Sequence, residues 1–337
     1  MINIRQWAHH LMENSDRVAI PIMTHPGIEL CNHQVVEAVK NGVIHFEAIK
    51  KLCDLYPSAA ATVIMDLTVE AEAFGAKIIF PENEVPSVIG IVVKDMNDVK
   101  NLAIPSLSQG RLSEYLLANR LVAKNIIDRP AFAGCIGPFS LAGRLMGMSE
   151  IMTAIYTEPD LVLCLLEKCT TFLLNYCTEI KKTGVGGVVI AEPAAGLISA
   201  EECSMYSSTF IKRIVDVVQD DSFMVILHNC GNTGHCTSSM VETGALGLHF
   251  GNQIDMLDAL EKCPNDRLVM GNLDPVNCLK MSTPEKIYQS VLTLLRRTSM
   301  YNNFVLSTGC DVPPLVDTKN IDAFYQALMD YNHSLQQ

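Results

Sequence analysis

Short apolar runs recur along the chain, and each is followed by a polar turn and a stretch with helical periodicity. Their apolar residues are consecutive rather than alternating, which is typical of parallel strands buried on both faces. The eight runs are residues 17–23, 61–66, 131–137, 187–193, 223–230, 246–252, 268–275 and 304–310. Residues 160–184 give the clearest helical pattern between them, with Asp160 at the start and Gly184 at the end.

Eight strand-like runs that alternate with helices predict a (β/α)8 barrel. A doubly wound open sheet is the alternative, but a glycine-rich phosphate-binding turn is absent after the early runs. We predict that residues 1–337 form a single barrel domain with an N-terminal helical extension. Residues 67–130 contain several β-like pieces and are expected to form an excursion or hairpin between the second and third barrel strands.

Composition narrows the class of protein. Apolar residues make up 49% of the chain and charged residues 18%, which suits an interior-rich enzyme. The net charge of −12 disfavours binding to nucleic acid or to an anionic membrane. No signal peptide or membrane span is evident, and twelve cysteines in such a chain are expected to be free thiols in a reducing compartment. We therefore predict a cytoplasmic protein that acts on small molecules.

The ends of two predicted strands carry soft metal ligands. His228 and Cys230 end the fifth run, and Cys310 ends the eighth. In a (β/α)8 barrel, the carboxyl ends of all strands surround one mouth, where active sites lie. Imidazole and thiolate are ligands that Zn²⁺ prefers, and a catalytic site with three protein ligands keeps one position open. A single His-x-Cys pair is weak evidence, but a second cysteine-terminated strand makes a zinc site a specific prediction.

Three other side chains at predicted strand ends are candidate site residues. Glu192 either is a fourth zinc ligand that leaves when substrate binds or accepts a hydrogen bond from a neighbouring backbone N–H. His249 either holds a metal ligand in position or is a packed barrel histidine. Asp66, at the end of the second run, is the third candidate.

Several motifs resemble one known family. "HNCGN", "GNLDPVNCLKMSTPEKIYQSV" and "FVLSTGCDVPPLVDTKNIDAF" resemble the uroporphyrinogen decarboxylase superfamily, and more closely its methylcobamide:coenzyme M methyltransferase branch. "MDLTVEAEAFGAKIIFPENEVPSV", "GPFSLAGRLMG" and "AEPAAGLIS" are similar to that branch too. The resemblance covers nearly the whole chain. It implies a (β/α)8 barrel whose zinc is held by His228, Cys230 and Cys310.

The decarboxylase branch fits less well. Its members work without metal and neutralise the substrate carboxylates with arginines, some of them near the N-terminus. The corresponding stretch here, "VAIPIMTHPGIELCN", has no arginine, and buried carboxylates need such partners. Asp66 lies about where the decarboxylases keep an aspartate that binds pyrrole N–H groups. In the methyltransferase branch, Asp66 is expected to contact substrate or corrin, or to cap the helix that follows it.

The resemblance implies a zinc-dependent methyltransferase. The methyl group would pass from a methyl-corrinoid, such as methylcobalamin carried on a small corrinoid protein, to a thiol such as coenzyme M. The chain has no D-x-H-x-x-G motif, so the corrinoid is expected to be a visiting co-substrate. Arg144 is a candidate partner for an acidic group of the substrate, with a purely structural arginine as the alternative. Two other functions stay open: a zinc-thiolate methyltransferase with a folate donor and homocysteine acceptor, and a non-catalytic protein that handles metal or corrinoid.

Overall fold

The computed structural model describes residues 2–231 and 233–336. The strands of this part are β1 (Ala61–Thr62), β2 (Lys77–Ile79), β3 (Ser87–Ile89), β4 (Ala131–Ile136), β5 (Gly187–Ala191), β6 (Met224–Asn229), β7 (Gly247–Phe250), β8 (Leu268–Leu273) and β9 (Phe304–Thr308). The α-helices are α1 (Ile4–Glu13), α2 (His25–Leu30), α3 (Val35–Ala38), α4 (Gly42–Leu55), α5 (Val69–Ala73), α6 (Met96–Asn101), α7 (Leu112–Asn125), α8 (Pro138–Met146), α9 (Met148–Thr157), α10 (Pro159–Lys182), α11 (Ala200–Cys203), α12 (Thr209–Val218), α13 (Thr237–Glu242), α14 (Met256–Lys262), α15 (Pro284–Arg297) and α16 (Thr318–Leu335). Short 3₁₀ segments lie at Pro193–Leu197 and Gly234–Cys236, and π-helical segments lie at Ser204–Ser208 and Pro275–Lys280.

Seven strands form a curled parallel sheet in the order β1-β4-β5-β6-β7-β8-β9. An extended segment near the N-terminus joins the two edges of this sheet. The amide of Ile20 donates to the carbonyl of Leu306 in β9 at 2.9 Å, and the amide of Ala59, just before β1, donates to the carbonyl of Ala19 at 2.9 Å. The segment therefore takes the place of an eighth strand, and the predicted (β/α)8 barrel is confirmed.

The first predicted strand, at residues 17–23, differs from the others. It forms a single bridge to β9 instead of a regular ladder. Pro21 in its middle has no N–H to donate to a ladder. Side chains supply part of the missing pairing, since the hydroxyl of Thr308 accepts from the amide of Ile22 at 3.2 Å. The apolar pattern placed this segment in the barrel correctly, but its proline prevents a regular strand.

The excursion between the second and third barrel strands contains a small antiparallel hairpin. Strands β2 and β3 pair with each other and lie outside the barrel sheet. The hairpin follows the carboxyl end of β1, which is the end of the barrel where active-site loops lie. That the whole chain is one domain stays a prediction.

The barrel interior is filled by side chains from alternate strand positions. Met224 and Ile226 of β6 and Val189 of β5 belong to this inner cluster, and their neighbours in sequence face the surrounding helices. Helix α1 covers the amino end of the barrel, where Trp7 lies 5.7 Å from Phe132 between ring centroids. The amino end is thus packed, which leaves the carboxyl end as the open face.

Helix α10 has the length and apolar character of a membrane span, which the sequence analysis did not anticipate. It is the one described helix with these properties, and 56% of its apolar stretch is buried inside the protein. Leu165, Phe172 and Cys177 are among its fully buried residues. The high hydropathy of α10 is explained by its buried residues, which pack against the barrel and the neighbouring helices.

Candidate metal centre

Three predicted ligands converge at the carboxyl ends of β6 and β9. The Nε2 atom of His228 lies 2.8 Å from the Sγ atom of Cys230, which lies 3.4 Å from the Sγ atom of Cys310. All three atoms lie within 4.8 Å of one another, and they are the one such group found in the described part of the chain. One imidazole nitrogen and two sulfurs in a half-buried pocket match the donors and the number of ligands of a catalytic zinc site.

Strand alternation and two glycines explain this convergence. His228 follows Met224 and Ile226 at the next inward position of β6. Gly231 then adopts a positive φ of 77°, a conformation that side-chain-bearing residues rarely take. Gly309 lies so close to the backbone of Asn252 that a Cβ atom there would collide with it. The glycine of "HNCGN" thus lets the chain turn sharply after Cys230, and the glycine of "STGC" lets the Cys310 loop pass close to the loop that follows β7.

The two cysteines are in direct contact through their sulfur atoms. The hydrogen bond between them lowers the pKa of Cys310 and raises the pKa of Cys230 well above its ordinary value. The contact therefore favours a thiolate within this pair. Since the thiolate is the form of cysteine that binds metals, the pocket is prepared for a cation.

His249 and Ser307 lie directly behind His228, one of the three predicted ligands. The Nδ1 atoms of the two histidines are 2.8 Å apart, and the Nε2 atom of His249 lies 2.9 Å from the hydroxyl of Ser307. Burial lowers the pKa of His249 well below its ordinary value, so the ring is neutral. Of the two interpretations of His249, this geometry supports the one in which it holds a ligand in position. The sequence analysis missed Ser307, although it stands two residues after the inward-facing Val305 on β9.

Glu192 has different partners from those of an exchangeable metal ligand. Its carboxylate accepts hydrogen bonds from the amides of Phe139 at 3.1 Å and Ser140 at 2.6 Å, in the first turn of α8. Burial raises the pKa of Glu192 to about 7, against the effect of these bonds. A Cβ atom at Gly137 would lie 2.5 Å from the carboxylate, so glycine is needed there. The structure does not bring Glu192 into the group of three ligand atoms, and its exchange with substrate stays a prediction.

Asp66 is the centre of a buried polar network. One carboxylate oxygen accepts from the guanidinium of Arg111 at 2.5 Å and from the hydroxyl of Tyr115 at 3.0 Å. The other accepts from the amide and the hydroxyl of Thr68, just before α5. Asp66 accepts from the amide of Thr68, the N-cap residue of α5, and not from an amide inside the helix, so it does not cap the helix directly. A contact of Asp66 with substrate or corrin stays a prediction, although the described contacts already occupy both oxygens. The sequence analysis missed Arg111, which lies in a loop 45 residues away without a recognisable motif.

A buried histidine lies beside the loop that carries the third predicted ligand, Cys310. The Nδ1 atom of His25 is 3.3 Å from a carboxylate oxygen of Asp311 and 3.2 Å from the carbonyl of Val312. The sequence analysis did not identify this pair either. Its position, immediately after Cys310, indicates that it fixes the path of the cysteine loop.

Arg144 lies in the last turn of α8 and is half-buried. None of the ion pairs or side-chain hydrogen bonds found among residues 2–231 and 233–336 involves its guanidinium. Burial lowers the pKa of Arg144, and Asp66 lies near enough to oppose this effect. A half-buried cation that has no ion-pair partner among the described residues suits an acidic ligand.

Comparisons with known proteins give one consistent result. The family model described as "Uroporphyrinogen decarboxylase (URO-D)" matches residues 17–331. The methylcobamide:CoM methyltransferase MtbA of Methanosarcina acetivorans is 30% identical over 295 residues, which are 86% of this chain and 82% of that protein. MtbA of Methanosarcina mazei is 28% identical over the same shares of the two chains.

A solved structure, titled a methyltransferase from Methanosarcina mazei, superimposes with a TM-score of 0.88 at 21% identity. The match covers 98% of this chain and 99% of the other. At this level of identity the likeness concerns the fold, and it extends over almost every residue of both proteins.

Proposed function

The chain belongs to the uroporphyrinogen decarboxylase family, as its motifs predicted, and on that premise we propose that it is a zinc-dependent methyltransferase. It would move a methyl group from a methyl-corrinoid to a thiol. The observation that carries this proposal is the convergence of His228, Cys230 and Cys310 at the barrel mouth. The names of the two curated relatives from Methanosarcina support the same donor and acceptor classes.

The three-ligand group favours a catalytic site over a structural one. Structural zinc sites are almost always closed by four protein ligands, whereas catalytic sites leave a position for water or substrate. When bound here, zinc would lower the pKa of a thiol substrate and so supply a thiolate nucleophile at neutral pH. His228, Cys230 and Cys310 would hold the ion on one side, so that the thiol reaches it from the open mouth.

The transfer itself needs little from other side chains. The thiol would lose its proton to solvent, its sulfur would form a bond to the methyl carbon, and the cobalt–carbon bond would break. The electron pair of that bond stays on cobalt, so the corrinoid leaves as Co(I) and the thiol leaves as a methyl thioether. Glu192 would keep α8 in place beside β5, and a role as an exchangeable ligand would require it to release the amides of Phe139 and Ser140.

The donor is proposed to arrive on a separate small corrinoid protein in the cytoplasm. The chain lacks a corrinoid-binding motif of its own, and the amino end of the barrel is covered by α1. The carboxyl face, which holds the three ligands, is therefore where the corrinoid would dock. All twelve cysteines are free in the structure.

Arg144 is proposed to bind the acidic group of the acceptor thiol. We expect Arg144→Gln to raise the KM for mercaptoethanesulfonate by about 10- to 100-fold, because a hydrogen bond to a charged group contributes about 1.5–3 kcal/mol. The KM for mercaptoethanol, which has the same thiol arm without the sulfonate, should change little. Steady-state kinetics with both thiols would measure this. Arg120→Gln, at an exposed arginine of α7, is the matched control. Equal effects on both thiols would remove Arg144 from acceptor binding.

The decisive assay of the proposed function uses zinc-loaded protein, methylcobalamin and a panel of thiols. We expect loss of methylcobalamin to match the formation of the methyl thioether. Removal of metal with a chelator should stop the reaction, and added zinc should restore it, because the thiolate then forms again. Absorbance of the corrinoid and mass spectrometry of the thioether provide two independent readouts.

The same assay separates the competing functions. Methionine formed from homocysteine and a methylfolate, without any corrinoid, would replace the proposal by a folate-dependent methyltransferase. Binding of zinc and cobalamin with no transfer to any thiol would instead indicate a non-catalytic accessory protein. Absence of zinc from the protein, even after reconstitution, would refute the mechanism but leave the family assignment intact.

A further inference from the structure

We propose that Ser307 sets the tautomers of two histidines so that the Nε2 atom of His228 presents a lone pair to the metal centre. This inference rests on the zinc site of the proposed function. Three contacts join four groups in series. The hydroxyl of Ser307 lies 2.7 Å from the carbonyl of Ile20, His249 lies 2.9 Å from that hydroxyl, and His228 lies 2.8 Å from His249.

The direction of each hydrogen bond in this series is fixed by the carbonyl of Ile20, at one end of it. The carbonyl of Ile20 can only accept, so the single hydroxyl hydrogen of Ser307 points to it. The oxygen of Ser307 must then accept from the ring, and the Nε2 atom of His249 therefore carries a hydrogen. Donation by Ser307 toward the ring would leave two oxygen acceptors 2.7 Å apart with no hydrogen between them.

The tautomer of His249 determines which nitrogen of His228 carries a hydrogen. His249 is 1% exposed, and its ring contacts an imidazole, a hydroxyl and the backbone of Thr308, with no carboxylate in the described part of the chain to hold a second proton. A neutral imidazole carries one hydrogen, so the Nδ1 atom of His249 is bare and accepts from the Nδ1–H of His228. A neutral His228 then has a bare Nε2 atom, which is the atom that lies beside Cys230.

Removing the acceptor at Ser307 would free both rings to take the opposite tautomers. His249 could then donate from Nδ1, and the hydrogen of His228 would move to Nε2, where it would block a metal ion. A ligating histidine usually holds its second nitrogen by a hydrogen bond to a carbonyl or carboxylate. Here the carbonyl of Ile20 orients the hydrogen bonds of His228 indirectly, through the side chains of Ser307 and His249. Ser307 is therefore a positioning residue, since its contacts are with Ile20 and His249 and it is not one of the three ligands.

Strand register explains why these residues meet. His228 of β6 is the register partner of His249 of β7, and both lie on inward positions near the carboxyl ends of their strands. Ser307 occupies an inward position on β9, on the strand that the Ile20 segment joins to close the barrel. Closure of the barrel and preparation of the metal ligand thus depend on the same few hydrogen bonds.

The test compares Ser307→Ala with Ser307→Thr, which keeps a hydroxyl. Nitrogen-15 NMR of histidine-labelled, metal-free protein reports the tautomers, and competition with a chromophoric chelator gives the zinc Kd. In the parent we expect His249 protonated at Nε2 and His228 at Nδ1. Ser307→Ala should mix the tautomers and raise the zinc Kd by about 10- to 100-fold, whereas Ser307→Thr should stay near the parent.

A second pair of variants tests the inference even if the Ser307 variants fail to fold. In His249→Asn the amide oxygen can take the place of Nδ1 and accept from His228, whereas His249→Leu leaves that N–H without a partner. We expect the leucine variant to lose at least 10-fold more zinc affinity than the asparagine variant. Unchanged tautomers and an unchanged zinc Kd in Ser307→Ala would overturn the inference. A parent that binds no zinc would refute the proposed function, while the NMR of metal-free protein would still decide the tautomers.

Discussion

Replacing Cys310 by alanine is expected to lower the zinc affinity by about 10²- to 10³-fold and to abolish measurable methyl transfer. Four-ligand zinc sites bind with roughly 10–16 kcal/mol, so one ligand accounts for roughly 2.5–4 kcal/mol, which is about two to three orders of magnitude in Kd. Cys310 lies 3.4 Å from Cys230 between the sulfur atoms, so its loss would leave His228 and Cys230 as the two remaining predicted ligands. Zinc per chain by mass spectrometry, beside the methylcobalamin assay, would measure both effects.

Cys278→Ala is the matched control for this prediction. Cys278 is also a half-buried free cysteine, and it also lies just after a barrel strand, β8. It is not among the converging ligand atoms, so its loss should change neither zinc content nor rate. A Cys310→Ala protein that kept one zinc per chain and transferred methyl groups would contradict the assignment of the third ligand. The barrel should stay folded in both variants, because its hydrogen-bonded sheet does not depend on the cysteine loops.

The sequence patterns identify most of the candidate site residues but few of the contacts that these residues make. His228, Cys230 and Cys310 could be identified because a parallel barrel brings the carboxyl ends of its strands to one mouth, wherever they lie in sequence. Glu192 was likewise placed at a strand end. Its pairing with the amides of Phe139 and Ser140 depends on how α8 begins, and the strand pattern contains no information about that.

The residues that the sequence analysis missed make contacts across the barrel. Ser307 is a small polar residue within an apolar strand, and its importance depends on the register between β6, β7 and β9. Arg111 reaches Asp66 from a loop 45 positions away, which no local periodicity can indicate. The proline within residues 17–23 was visible in the sequence, and its consequence for strand pairing follows from the missing N–H. Hydrophobic periodicity therefore predicts the fold, whereas long-range polar contacts require the three-dimensional structure.

The second large expected effect is a loss of stability when Asp66 is replaced. The carboxylate of Asp66 is fully buried and the side chain of Arg111 is 8% exposed, so their ion pair is shielded from water. Removing one member of a buried ion pair costs about 3–5 kcal/mol, because the other charge stays buried without its partner. We therefore expect Asp66→Ala to lower the free energy of unfolding by this amount and the Tm by about 5 °C. Thermal and urea unfolding of the metal-free protein would measure it.

Glu72→Ala is the matched comparison, because Glu72 binds the same guanidinium at 2.6 Å but is 23% exposed. Water can replace part of that contact, so Glu72→Ala should cost clearly less than Asp66→Ala. Asp66→Asn, which keeps the shape and the hydrogen bond to Tyr115, should lie between the two. If Asp66 instead contacts substrate or corrin, Asp66→Asn would raise the KM for the thiol or for methylcobalamin and leave the Tm unchanged. The network predicts the opposite pattern, since both oxygens of Asp66 already accept hydrogen bonds within the protein.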